Sequence, residues 1–328
     1  MPKSENQKQK LLYLVKLLRE RSDEKHPLPM ADIILALEQE GIKAERKSIY
    51  TDMEALRDFG YDIILQKGKN GGYYLGSREF ETAELKLLVD AVSASRFITK
   101  KKSRELISKL SSMASNHDAG ELKREVYVVN RIKSENEGIL YNIDAIHDAI
   151  QKNCRITYRY LEYTLNKEEH FRRGGKLYEV SPVALTWSDE NYYLIAFDEE
   201  ADSLKHYRVD KIKGIALSKK KRSTRLKEKD FKLADYCNKT FGMFAGRDEV
   251  LKINLPNSLV GVIIDRFGKD VTIHKENEDT FTARISVKVS NQFFGWLTGL
   301  GPEVRLISPE HVVEEYKEYL ARIQNRYH

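Results

Sequence analysis

Seven side chains near the amino end have the chemistry needed to bind a nucleic acid. Five of them fall within six consecutive residues, and the other two are lysines in the glycine-rich stretch that follows. Lysine, arginine and hydroxyl side chains donate hydrogen bonds to phosphates and to base edges. The candidate DNA-binding residues are Arg46, Lys47, Ser48, Tyr50, Thr51, Lys67 and Lys69.

Amphipathic periodicity predicts three helices that would position the first five of these side chains. Each segment has apolar residues at helical spacing, and the second and third segments end at glycines, which suit the backbone that follows a helix. The predicted helices cover residues 7–21, 30–40 and 46–59.

The third helix separates a buried stripe from a polar face. Ile49, Met53 and Leu56 recur at i, i+4 and i+7, so we expect them to face the core. At about 100° per residue, Lys47 and Thr51 then lie nearly opposite this stripe. They would be free to reach a DNA groove.

A short hairpin follows the third helix. Residues 61–66 alternate as a strand, Asn70-Gly71 is a strong turn signal, and residues 73–75 return. Three helices and a hairpin predict a winged helix-turn-helix over residues 1–77, with its last helix in the major groove and its wing on phosphates. The alternative is a winged helix that binds another protein.

The same stretch resembles the recognition helix of bacterial regulators that carry an Arg-Arg-Thr-Ile-x-Arg-Asp pattern followed by leucine and glycine. Here the pattern reads Lys47 to Asp52, then Leu56 and Gly60. Ser48 stands in the place of threonine. Thr51 stands in the place of an arginine, so one DNA contact of such regulators is missing from the pattern.

Residues 78–137 predict a helical connector. Two segments with apolar seams and polar outer sides are separated near Ile98-Thr99. Such helices suit a connector and often a dimer contact. The basic run at residues 100–104 is typical of a solvated helix start, although it could also touch DNA.

From residue 142 a short amphipathic helix precedes five predicted strands. Their close spacing and glycine-rich or acidic turns are typical of a small barrel or sandwich. Trp187 is expected in its core. The predicted strands cover residues 154–160, 171–180, 183–187, 191–197 and 204–212.

The tripeptide at residues 192–194, Tyr-Tyr-Leu, resembles the one that names the WYL domain of bacterial regulators, with tyrosine in place of tryptophan. The segment around Ser181-Pro182 and the closing Tyr-Arg-Val-Asp-Lys-Ile at residues 207–212 also resemble that domain. The resemblance covers roughly residues 142–217. It implies a small Sm-like β-barrel at residues 138–222 that senses a ligand, with nucleic acid or a nucleotide as the leading candidate.

Several residues of this domain could contact such a ligand. Arg208 could hold a phosphate while a tyrosine ring stacks on a base. The alternative is a structural ion pair between Arg208 and Asp210. The candidate ligand-binding residues are Tyr178, Ser181, Tyr192, Tyr193, His206 and Arg208.

The last third of the chain predicts a linker and an α+β module. The basic stretch at residues 218–229 is typical of a linker, and the linker is expected to run over residues 223–246. The order β-α-β-β-α-β-α over residues 247–328 is typical of a ferredoxin-like module. It also resembles the C-terminal extension of WYL proteins, which implies a role in dimerisation.

Composition and motifs argue against several other classes. The net charge of +6 is only weak evidence for an anionic partner, and two separated cysteines do not predict a disulfide or zinc framework. We expect neither a membrane span nor a secretory signal, and therefore a cytoplasmic protein. Nucleotide-binding, hydrolase and metalloprotease motifs are missing, so we predict no enzyme, catalytic residue, metal site or cofactor.

The sequence therefore predicts a multidomain α+β protein that regulates bacterial transcription. A winged helix-turn-helix would bind a double-stranded DNA operator as a homodimer, and the barrel would sense a nucleic-acid or nucleotide effector. The alternative is an RNA-binding, single-strand-binding or nuclease-accessory protein that uses its barrel without regulating a promoter.

Overall fold

A computed structural model of the protein describes residues 7–68, 70–124, 133–223 and 233–327. The chain forms two compact units, Met1–Glu137 and Gly138–His328, and each is described by itself. Lys69, one of the predicted DNA-binding residues, lies outside the described residues.

The first unit begins with three helices and a hairpin close to their predicted positions. The stripe of Ile49, Met53 and Leu56 is buried, which confirms the prediction from its spacing. The third helix ends at Gly60, whose φ of 113° lies in the region that favours glycine. The elements are α1 (Gln7–Arg21), α2 (Met30–Gln39), α3 (Arg46–Phe59), β1 (Ile63–Gln66) and β2 (Gly72–Leu75).

The hairpin packs against the segment between α1 and α2. Leu28 and Tyr73 exchange two backbone hydrogen bonds of 2.8 Å each. The segment between the two helices thus adds an antiparallel bridge to the hairpin. A Cβ atom at Gly72 would lie 2.3 Å from the Leu28 backbone, so the close approach requires glycine.

Three further helices follow in the described residues of the first unit. The first two are separated near Ile98-Thr99, as predicted. The third was not predicted, because its short sequence is polar and has little apolar periodicity. The helices are α4 (Thr82–Ala94), α5 (Lys100–Ser111) and α6 (Asn116–Arg124).

Polar bonds tie these helices to the first three. Arg78 Nη2 donates to the Ser22 carbonyl at 2.6 Å. The Ser115 hydroxyl, immediately before α6, donates to Asp23 Oδ2 at 2.7 Å. The connector is therefore joined to the three-helix cluster by defined side-chain contacts.

The second unit begins with a helix and a curled, half-barrel sheet. The strand order is β4-β3-β5-β6-β7, and β8 returns to pair with β3, with antiparallel pairing throughout. The elements are α7 (Ile139–Gln151), β3 (Cys154–Tyr163), β4 (Glu169–Phe171), a helical turn α8 (Arg172–Gly175), β5 (Tyr178–Ser188), β6 (Asn191–Asp198), β7 (Ser203–Arg208) and β8 (Ile212–Lys221).

Two predictions about this sheet were wrong. Two strands were expected around Pro182, but β5 runs through it as one strand with an irregular register between Pro182 and Ala184. The basic stretch from Ser218 was expected to be a linker, but it continues β8 to Lys221. The Glu179 carboxylate holds it there, because it accepts hydrogen bonds from the Ser218 hydroxyl at 2.8 Å and from Lys220 Nζ at 2.7 Å.

The C-terminal part contains a second sheet, with strand order β10-β11-β9-β12. Its inner face packs on helices, and Leu251, Ile253, Phe293 and Val312 are buried between them. The order of elements after α9 is the predicted one. The elements are α9 (Leu233–Lys239), β9 (Arg247–Pro256), α10 (Val260–Phe267), β10 (Thr272–Lys275), β11 (Thr280–Val289), α11 (Asn291–Gly299), β12 (Arg305–Ser308) and α12 (Glu310–Gln324). Among the described residues, no helix is long and apolar enough to cross a membrane.

Candidate nucleic-acid interface and ligand site

The outer face of α3 carries four of the predicted DNA-binding side chains. Arg46, Lys47, Tyr50 and Thr51 are all exposed. Arg46 Nε donates to the Tyr50 hydroxyl at 3.0 Å, and the guanidinium lies 5.8 Å from the ring centroid. The structure therefore brings these groups onto one solvent-facing surface, with the apolar stripe on the other side of the helix.

Ser48 differs from these four because its side chain is engaged inside the unit. Lys10 Nζ, on α1, donates to the Ser48 hydroxyl at 2.6 Å and lies 2.6 Å from Asp52 Oδ2. Lys10 is only 3% exposed. The Ser48 hydroxyl therefore accepts a hydrogen bond from Lys10, and the hydroxyl proton of Ser48 is left to donate to another acceptor.

Sequence reasoning missed Lys10, although a signal was present. Lys10 lies four residues before Leu14 and seven before Leu17, which places it on the buried stripe of α1. A buried lysine needs an acidic partner. Asp52, two turns into α3, is that partner.

The hairpin lies beside α3 and is bonded to it. Arg57 Nε, near the end of α3, donates to the Ile63 carbonyl of β1 at 2.7 Å. Lys67, at the end of β1, is exposed. The helix and the hairpin therefore present their cations from one connected body.

Two predicted ligand residues are core groups of the half-barrel. Tyr178 is 7% exposed and stacks on Tyr158, with 5.6 Å between ring centroids. Ser181 is buried, and its hydroxyl accepts a hydrogen bond from the Ser223 backbone N–H at 2.9 Å. Direct contact with a ligand would require this part of the core to open.

Tyr192 and Tyr193 point to opposite faces of β6. Tyr192 packs edge-on against Trp187, at 5.9 Å between centroids. Trp187 is 51% exposed, so the prediction that it lies in the core was wrong. The cause is the register of β5 and β6, which pairs Trp187 with Tyr192 at the end of the hairpin.

Arg208 lies opposite Tyr193 and is held by an acid. Its Nε and Nη2 donate to the two carboxylate oxygens of Asp210 at 3.1 and 2.7 Å. Its backbone N–H donates to the Tyr160 hydroxyl at 2.9 Å. Burial disfavours the charged guanidinium, but the hydrogen bonds and charge of Asp210 outweigh it and raise the pKa of Arg208.

Burial also changes the pKa of two neighbouring tyrosines. It raises the pKa of Tyr160 to about 12 and raises that of Tyr193, where the Arg208 charge acts in the opposite direction. Both groups are therefore neutral hydroxyl donors near pH 7.

The ion pair between Arg208 and Asp210 was one of the two alternatives that the sequence left open, and the structure contains it.

His206 contacts a different element. Its Nε2 lies 2.8 Å from the hydroxyl of Tyr236 on α9. Burial lowers the pKa of His206 to about 4, although the Met243 backbone opposes this. The Tyr236 ring in turn lies 4.9 Å from Lys288 Nζ, so His206 belongs to a polar junction between the half-barrel and the C-terminal sheet.

The half-barrel core contains aromatic residues that sequence reasoning did not single out. Tyr158, Tyr160 and Tyr207 surround Tyr178, with all ring centroids between 5.5 and 6.5 Å apart. The alternation of tyrosines in β3 was the available signal. Tyr160 links this cluster to Arg208, because its hydroxyl accepts the hydrogen bond from the Arg208 backbone N–H.

Comparison with known domain families gives two matches. A family model of the WYL domain matches residues 141–217, and one of the WCX domain matches residues 248–324. The first match contains Arg208 and five of the half-barrel strands from β3 onward, and the second contains most of the C-terminal sheet. No curated protein matches the sequence significantly.

Two solved structures are similar over most of the chain. Proteasome accessory factor B/C (PafBC) of Arthrobacter aurescens is 16% identical, with 97% of this chain and 49% of that chain covered and a TM-score of 0.29. A CRISPR Cas-related protein is 15% identical, with 92% of this chain and 78% of that chain covered and a TM-score of 0.37. The chain thus spans about half the length of the first.

Proposed function

We propose that the chain, which carries a WYL domain and a WCX domain, is a DNA-binding transcriptional regulator. Its first 77 residues act as a winged helix-turn-helix, and its WYL domain senses a phosphate-bearing ligand. The observation that carries the proposal is the solvent-facing polar surface of α3 beside the Lys67 hairpin.

The dimensions of this surface suit a DNA groove. A single helix fits the major groove, which is about 12 Å wide, and a hairpin beside it can contact the flanking phosphates. Arg46, Lys47, Tyr50 and Thr51 supply donors on the side of α3 that the core does not use. The Arg57 bond to β1 supports a fixed angle between helix and wing.

A homodimer belongs to the proposal. One winged helix buries too few base contacts for tight specific binding, so two copies would occupy two half-sites about one or more helical turns apart. The C-terminal module, whose strand order supports a ferredoxin-like assignment, is proposed to contribute to dimerisation.

Footprinting tests the operator proposal. The protein is incubated with the DNA upstream of its own coding sequence at defined salt. A protected palindrome with regularly spaced half-sites is expected. Sequence-blind binding that prefers RNA or single strands would instead favour the alternative function, in which promoter regulation plays no part.

A variant with Lys47→Ala and Lys67→Ala tests the surface itself. Each lost phosphate contact should reduce the slope of log affinity against log salt by about 0.9. The matched control is Lys16→Ala with Lys25→Ala, two exposed lysines of the same three-helix cluster. If both variants change the slope equally, net charge explains the result and the α3 surface is not the interface.

Arg208→Gln tests the sensing proposal. A ligand phosphate would compete with Asp210 for the guanidinium, so the variant should abolish any change in operator affinity caused by adenosine triphosphate or a short oligonucleotide. Lys205→Gln, on the same strand, makes the same charge change and should respond normally. A collapse of the melting temperature in Arg208→Gln would identify the ion pair as structural.

A further inference from the structure

The Ser48 hydroxyl on α3 lies against a buried ammonium group. Lys10 Nζ is 2.6 Å from the Ser48 oxygen and 2.6 Å from Asp52 Oδ2, and Lys10 is 3% exposed. An ammonium group carries three donors and no acceptor. The Ser48 proton therefore cannot point toward Lys10 and must leave the oxygen on another side.

Thr51, three residues later, shows how a helical hydroxyl is oriented without such a neighbour. Its Oγ1 donates to the Lys47 carbonyl, four residues back, at 3.3 Å. Serine and threonine commonly form this bond in helices. Ser48 does not form it, and among the described residues no acceptor receives its proton. Lys10 thus keeps the Ser48 proton available to a group outside the chain.

The position of Ser48 on α3 favours a phosphate over a base edge as that group. Lys47 and Thr51 face away from the buried stripe. At about 100° per residue, Ser48 lies about 80° around the helix from the midpoint between them. A helix in the major groove turns its outermost side to the bases, and its flanks face the sugar-phosphate backbones that line the groove.

Ser48 also borders an open concave region of about 820 Å³ at the turn between α2 and α3. Lys43 is a cation on the rim of this region, whereas Glu38 and Glu45 are acids on it. The rim as a whole therefore does not attract an anion through net charge. A phosphate contact here depends on a directional donor, which the oriented Ser48 hydroxyl supplies.

We propose that Lys10 is a positioning residue for DNA binding, because it orients the Ser48 hydroxyl as a donor to one backbone phosphate of the operator. This inference rests on the proposed function, since it assigns a role within the α3 surface. The Lys10 charge also strengthens the donor, because hydrogen bonds in a chain polarise one another. Lys10 itself is buried and acts only through Ser48.

The test measures the coupling between Ser48 and single phosphates. Operator duplexes, each with one phosphate replaced by an uncharged methylphosphonate, are titrated with the wild-type full chain and with Ser48→Ala. At one phosphate in each half-site, the replacement should weaken wild-type binding about 10-fold more than Ser48→Ala binding, as expected for a hydrogen bond to a charged group. On the unmodified operator, Ser48→Ala should leave the salt slope unchanged, because no cation is lost.

Lys10→Met with Asp52→Leu tests the positioning role without leaving an unpaired buried charge. In this variant, the Ser48 proton can return to a carbonyl of the preceding turn, as the Thr51 proton does. This competing bond is neutral and weaker than one to a phosphate, so the coupling should fall from about 10-fold to about 3-fold. A coupling that stays at about 10-fold would overturn the proposal.

Two control variants separate orientation from a general effect on folding. Ser48→Thr retains a hydroxyl beside Lys10 and should keep most of the coupling. Thr51→Ala removes the other aliphatic hydroxyl of α3 and should show no coupling to the same phosphate. A loosened helix would weaken binding to every duplex alike. Equal losses on all duplexes for Ser48→Ala would therefore count against an oriented contact and overturn the proposal.

Failure of this inference can be told apart from failure of the proposed function. If the wild-type protein protects no operator, the proposed function is wrong and the inference falls with it. If an operator is protected but none of its phosphates is coupled to Ser48, the inference is overturned while the DNA-binding function stands.

Discussion

The buried ion pair beneath α3 allows a quantitative prediction. Asp52→Leu removes the acidic partner of Lys10, which is 3% exposed, and leaves its ammonium group buried against the Ser48 hydroxyl. Breaking a buried pair in this way costs about 3–5 kcal/mol. The Asp52 side chain is 17% exposed, so water compensates in part and the expected loss is about 3 kcal/mol.

This loss should appear in the thermal unfolding of the first unit, Met1–Glu137. With an unfolding entropy of about 2.1 cal/mol/K per residue, about 3 kcal/mol corresponds to a decrease of about 10 °C in its melting temperature. Differential scanning calorimetry of the full chain resolves the two units if they unfold separately. The transition of the second unit should not move.

The double variant Lys10→Met with Asp52→Leu provides the control. Both charges are then gone, and replacing a buried pair with apolar residues of similar size is often neutral or stabilising. The double variant should therefore recover most of the lost stability. If it is as unstable as Asp52→Leu, the cost does not arise from an unpaired buried charge, and the reasoning is refuted.

Two other predictions concern single side chains. Burial lowers the pKa of His206 from 6.5 to about 4. As the pH drops, this histidine is therefore protonated in the unfolded chain before it is protonated in the folded one. The free energy of unfolding should fall by about 2–3 kcal/mol between pH 6.5 and pH 4. His206→Gln should remove this component from urea titrations, and an unchanged pH profile would show that His206 is not its source. Gly72→Ala should lower the melting temperature by several degrees, because its Cβ atom would meet the Leu28 backbone at 2.3 Å. Gly261→Ala, whose Cβ atom would meet nothing within 4 Å, should not lower the melting temperature. Equal decreases in the two variants would contradict the steric explanation.

The sequence predicted those elements whose signals are local. The bounds of α1 and α3 agree because their apolar periodicity is continuous and, in α3, a glycine marks the end. The helix α6 was missed because its short sequence is polar and has little apolar periodicity. The end of β8, from Ser218, was mistaken for a linker because the bond between Lys220 and Glu179 depends on a residue far away in sequence.

In the candidate sites, too, only the features that depend on local geometry could be predicted from the sequence. The exposed face of α3 follows from helix geometry and was predicted. The role of Lys10 depends on a partner in another helix, and the burial of Tyr178 and Ser181 depends on how the half-barrel closes. The bond between His206 and Tyr236 joins two segments thirty residues apart. Such tertiary contacts leave no pattern within a short window of sequence.

The bonds from Arg78 to Ser22 and from Ser115 to Asp23 have a geometric consequence. They attach the segment with α4–α6 to the residues that follow α1; Lys10 of α1 is bonded to Ser48 of α3, and the Arg57 bond adds the hairpin. Any turn of the connector is therefore a turn of Arg46 and Lys67 through the same angle. In the proposed dimer, the distance between the two α3 surfaces would therefore be set at the far end of the connector, and a small change in its tilt would move both proposed DNA contacts.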